Sequence, residues 1–148
     1  MKYLIYIFLI YSGLALTTCA QKDDTITPAV EPAIEFVSIT PSQVKQFNSL
    51  EIVIQYIDGD GDLGNPDPDE KMLAIKDSRL PEADMYHVQP LAPLEEKVSI
   101  KGKVKITVPN VVLLGTGSSE QLYFSIKWKD RAGHWSNEIT SPNITVSK

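Results

Sequence analysis

Cysteine occurs once in these 148 residues, as Cys19, and histidine twice. A single thiol excludes an internal disulfide and any zinc site built on several cysteines; His87 and His134 have no ligand-spaced carboxylates to complete a donor set. Positive charge is also short, with 14 Lys and Arg against 19 Asp and Glu and a formal net charge of −5. Nucleic acid is excluded as a partner on that balance, because phosphate binding needs a basic surface. No sustained 3.6-residue stripe occurs, which removes amphipathic helices. A nucleophile elbow is missing, and the many acids crowd into one glycine-rich loop rather than flanking a substrate from two sides. Catalysis is therefore not expected.

What is present begins with an address. Lys2 is followed by YLIYIFLIYSGLAL, fourteen uncharged residues, and then by TTCAQKDD. That run is shorter than the about 20 apolar residues of a comfortable membrane span, and it reads as a signal peptide over residues 1–18. Leu16-Thr17-Thr18-Cys19 resembles the bacterial lipobox, which implies cleavage before Cys19 and a covalent lipid on its thiol. Gln21, Lys22, Asp23 and Asp24 resemble the export signal that carries Bacteroidetes lipoproteins to the extracellular side of the outer membrane. Thr25, between Asp24 and Ile26, fits the O-glycosylation pattern of the same phylum.

Removal of residues 1–18 leaves 130 residues with 13 basic and 19 acidic side chains, a charge of −6. Such a chain suits one soluble domain held at the outer membrane by its lipid rather than by a basic surface. Residues 19–32, with Pro28 and Pro32 among small and polar side chains, read as a tether. The folded domain is expected over 33–148.

Within it the hydrophobic period is two. Val98, Ile100, Val104, Ile106 and Val108 share one face, opposite Ser99, Lys101, Lys103, Lys105 and Thr107. Leu122, Phe124, Ile126 and Trp128 alternate with Tyr123, Ser125, Lys127 and Lys129, and Leu50, Ile52, Ile54 and Tyr56 with more polar neighbours. Shorter strands are expected at Ile34 to Ile39, Met72 to Lys76, Tyr86 to Gln89 and Asn143 to Val146. About seven strands with prolines between them predict an all-β, immunoglobulin-like antiparallel sandwich. The apolar phase changes after Phe36, as when a first strand bulges or passes between sheets.

The segment DGDGDLG, residues 58–64, sets Asp58, Asp60 and Asp62 at alternate positions directly after a strand. Three carboxylates in a loop that glycine lets curl inward suit a hard cation such as Ca²⁺, which takes six to eight oxygens at about 2.3–2.6 Å. An EF-hand is ruled out by Leu63 at its sixth position, Asp69 at its twelfth, and Pro66 and Pro68 after the loop. Because a sandwich gathers alternate loops at one end, Asp130, following the strand that ends at Lys129, is expected beside this loop as a fourth ligand. The competing reading is a solvated acidic turn, with Asp130 capping a turn of its own.

Trp135 and Tyr123 are the aromatics placed to stack on a glycan or a protein at the cell surface, whereas Trp128 shares the inward phase of Phe124 and Ile126. Lys101, Lys103 and Lys105 read as a solvated row protecting a sheet edge. Two functions follow: a non-enzymatic structural or assembly domain stabilised by calcium, or an adhesin-like module that binds glycan or protein.

The stretches EIVIQYIDGDGDLG and LYFSIKWKDRAGHWSNEITSPNITV resemble a family of uncharacterised Bacteroidetes surface lipoproteins, whose usual motifs are DGDGD(I/L)G and, near the end, DRAGN-x-SN. The resemblance covers most of the mature chain. It implies an immunoglobulin-like domain and no established activity. His134 stands where that family more often has Asn.

Overall fold

A computed structural model describes residues 29–148. Cys19, the Gln21-to-Asp24 export signal and Thr25 lie outside the described residues. The described residues form strands and no helix: β1 (Ala33–Thr40), β2 (Gln43–Lys45), β3 (Leu50–Asp58), β4 (Leu73–Asp77), β5 (Asp84–Tyr86), β6 (Ile100–Val108), β7 (Ser119–Leu122), β8 (Phe124–Trp128), β9 (Ile139–Thr140) and β10 (Ile144–Ser147).

They pair into three sheets, ordered β1-β3-β6, β2-β10-β7 and β5-β4-β8-β9. Every pairing is antiparallel except β2 with β10. The second and third sheets are joined because β7 and β8 are successive parts of one run interrupted at Tyr123. The alternation of side chains then decides the packing. Ile52, Ile54 and Ile106 from the first sheet meet Leu73, Ile75, Ile126, Trp128, Ile144 and Val146 from the others in one continuous core, the arrangement of a β-sandwich. Trp128 is fully buried in it, with the Tyr56 ring edge-on at 5.7 Å.

The expected strands are found with altered ends, and there are more of them. Leu122 to Trp128 reads as one strand because Leu122, Phe124, Ile126 and Trp128 all face inward. The chain instead changes partners at Tyr123 without changing face: β7 pairs with β10 and β8 with β4. On the partner side, Ser141 interrupts the matching run, its Oγ accepting from the Phe124 amide at 3.0 Å. Residues 87–89 are irregular where a strand is expected, and β5 lies just before them.

The phase change after Phe36 is a bulge. Phe36 pairs with Ile54 and Ser38 with Val53, so Val37 is left over, yet β1 stays with β3 as far as Thr40. The chain joins the other sheet only at β2. Strand β6 is an edge, and Lys101, Lys103 and Lys105 are exposed along it, where the edge-protection reading places them.

Candidate metal centre

Strand β3 carries the chain inward until its last residue, Asp58, which is fully buried. The next residues must turn within a few positions to regain the core at Leu63, also fully buried. Gly61 and Gly64 make that turn, with φ of 74° and 82°. At both positions a β-carbon would also collide with a carbonyl of the segment crossing above, Val98 for Gly61 and Gln89 for Gly64. The loop is thus bent from below by the core and pressed from above by backbone.

This curl brings Asp58, Asp60 and Asp62 together, with a carboxylate oxygen from each lying within 4.8 Å of the other two. One oxygen of Asp58 accepts from the Leu63 amide at 3.1 Å, and one of Asp62 from the Ala132 amide at 3.0 Å. The Oδ1 atoms of Asp58, Asp60 and Asp62 are each buried without a hydrogen-bond partner. Among the described residues, no Lys, Arg or His nitrogen forms an ion pair with any of the three. An unsatisfied buried acceptor costs about 1–3 kcal/mol, and more when charged. Burial, first, and the neighbouring carboxylates, second, push the Asp58 and Asp62 acids above their ordinary 3.8.

The donor set fits a hard divalent cation. Two oxygens on one Ca²⁺ at about 2.6 Å stand at most about 5.2 Å apart, so a mutual spread within 4.8 Å is compatible with a single coordination shell. Asp58, Asp60 and Asp62 would hold the ion, and its charge would replace the missing counter-charge.

Asp130 is where sandwich topology places it, against this loop and fully buried. Its charge helps to raise both Asp58 and Asp62. Unlike the three loop aspartates, it has a partner on each oxygen: Oδ1 accepts from the His134 amide at 2.7 Å and Oδ2 lies 3.0 Å from His134 Nδ1. The converging oxygens belong to the other three aspartates, while Asp130 folds its own turn, closed by Gly133 at φ 98°. The hydrogen bond to Asp130, with its negative charge, raises the His134 imidazole above its ordinary 6.5.

Further links join the two motif-bearing loops, through residues to which the sequence reading gave no contact role. The Arg131 guanidinium donates to the Gly64 carbonyl at 2.9 Å, and its amide to the Asp62 carbonyl at 3.3 Å. Ser136 and Asn137 bond to backbone, as their types suggest: Ser136 Oγ accepts from the Trp128 amide, and Asn137 both accepts from the Ile34 amide and donates to its carbonyl, each at 2.9 Å. Tyr123, on the outward phase of its strand, is 42% exposed, and Trp135, in the connection after β8, is 43% exposed. Compared with known proteins, the chain matches no protein-family model, no curated protein and no solved structure.

Proposed function

We propose that this chain is a lipid-anchored outer-membrane protein of a Bacteroidetes cell, facing the extracellular side, whose immunoglobulin-like domain is a non-enzymatic structural or assembly unit clamped by calcium. The three buried oxygens without partners at Asp58, Asp60 and Asp62 carry the calcium part of this reading. The ion would tie the loop after β3 to the turn at 130–134, which already meet through Asp62 and Ala132.

The geometry also supports a role for the clamp at the anchored end. Strand β1 begins at Ala33, opposite Ile57, so the tether joins the domain beside Asp58. Asn137 fixes that junction by gripping both backbone groups of Ile34. Pull on a lipid anchor at Cys19 would therefore reach the sandwich at the end where cation and loops are knitted together.

Three readouts test the reading. Radiolabelled palmitate is expected to enter the protein, and a membrane-impermeant reagent to label it on intact cells; labelling only after lysis contradicts the address. Limited proteolysis of the purified full-length chain in detergent is expected to be slower with calcium than with chelator at residues 65–70 and 131–135. Equal cleavage contradicts the clamp.

A further inference from the structure

The outer face of the β5-β4-β8-β9 sheet takes no part in the core. Alternation along β8 leaves Tyr123, Ser125, Lys127 and Lys129 facing outward, and along β4 it leaves Ala74, Lys76 and Ser78. Along these rows is an open depression of about 310 Å³, lined by Ala74, Ala83 and Ser125 together with Lys76, Lys127 and Glu138. That volume is at the lower end of the roughly 300–1,000 Å³ typical of ligand sites.

Two exposed aromatic rings belong to this face: Tyr123 lines the depression, and Trp135 lies outside it against Lys127 and Lys129. Tyr123 is held by Ser78, whose Oγ accepts from the Tyr123 amide at 3.1 Å and whose own amide donates to the Tyr123 carbonyl at 2.9 Å. Trp135 faces Lys129 in an isolated antiparallel bridge. Six residues of strand separate the two positions, about 20 Å at about 3.3 Å per residue. The Lys127 and Lys129 ammonium groups lie 5.5 and 5.8 Å from the centre of the Trp135 ring. These contacts hold two cations beside one aromatic plate at little further entropic cost to a ligand. Among the described residues, none of Lys76, Lys127 and Lys129 forms an ion pair. Three unpaired lysines on one face of a chain with net charge −5 are a local reversal of sign.

We propose that this face binds an acidic polysaccharide, with sugar rings stacking on Trp135 and Tyr123 and carboxylate or sulfate groups taken by Lys76, Lys127 and Lys129. A pyranose offers a flat C–H face to an aromatic ring and hydroxyls to Ser125 and Glu138, and the small side chains lining the open depression admit it. An acidic peptide would use only the lysines. Strands β4 and β8 are interior to the sheet, so their backbone groups are already in ladders and no strand can add to them. Lys76 and Lys127 stand on β4 and β8, whereas Trp135 follows the 130–134 turn that meets the cation loop, so the test is run with and without calcium.

The full-length chain in detergent micelles is titrated with polygalacturonate, with the same polymer fully methyl-esterified, and with polyglutamate, each in calcium and in chelator. Polygalacturonate is expected to bind, the esterified polymer and polyglutamate to bind about tenfold more weakly or less, and Lys127→Gln to weaken binding in chelator as well as in calcium, which separates the face from the cation loop. Trp135→Ala and Lys127→Gln, both on exposed or half-exposed side chains, are each expected to weaken binding about five- to tenfold, a loss of about 1–1.4 kcal/mol, while leaving the melting temperature unchanged. Polyglutamate binding equal to polygalacturonate, or affinity unaltered by Trp135→Ala, would overturn the proposal in favour of general charge attraction. No binding of polygalacturonate at low salt would also overturn it.

Discussion

Asp58 ends a strand with one carboxylate oxygen bonded to Leu63 and the other alone in the interior. Asn at this position keeps an acceptor for the Leu63 amide and removes the charge. Asp58→Asn is expected to leave the calcium-free melting temperature equal or higher, since one of several crowded charges is gone, and to abolish the rise on adding calcium. For a site filled at 100 times its Kd that rise corresponds to about 2.7 kcal/mol; scanning calorimetry reads both changes. The pH dependence follows from the raised Asp58 and Asp62 acids. The folded state keeps protons that the unfolded chain has released, so calcium-free stability from these groups is greatest below 3.8 and falls as pH rises through the raised values. His134 shifts the same way, its contribution being full below 6.5 and lost above its raised value. The difference between wild-type and Asp58→Asn urea midpoints isolates the aspartate. It should favour the variant increasingly as pH rises, and a difference independent of pH would refute the burial of that charge. Gly61→Ala, forced to positive φ beneath the Val98 carbonyl, is expected to cost about 1–3 kcal/mol.

Between elements, the informative residue is Asn137, whose amide binds both backbone groups of Ile34 across 103 positions of sequence. Asn137→Ala is expected to lower stability by about 1–2 kcal/mol and to speed hydrogen exchange at Ile34, with little change in the centre of β3. Unchanged exchange at Ile34 would show that β1 needs no such pin. Strands β3, β6 and β8 were legible in sequence because each buries one face and so writes its period in apolar residues. The split at Tyr123 was not legible, since Leu122 and Phe124 both stay inward while the hydrogen-bonding partner changes. Short β2 and β9 carry too few residues to show a period. The meeting of the 58–64 loop with Asp130 followed from sandwich topology, whereas the capture of both Asp130 oxygens by His134 did not, because it depends on a side-chain conformation. Nor did the crossing of residues 89 and 98 above the two glycines, which no periodic pattern marks.

For the molecule as a whole, the core and the acidic loop answer to different forces. Among the described residues the core buries eighteen apolar side chains, at about 1.5–3 kcal/mol for each large one, and none of that burial depends on the aspartate loop's charge. Chelation should therefore leave the β circular dichroism signal intact at room temperature while lowering the melting temperature. Loss of the signal in chelator would mean that the ion is needed for folding itself. One end of the sandwich holds the start of β1, the aspartates and the Asp130 turn, so an ion there would act on loop order rather than on the core. Isothermal titration of the purified full-length chain with calcium tests the clamp most directly. A saturable heat with about one ion per chain, lost in Asp58→Asn, is the expected result; no heat at millimolar calcium would contradict it.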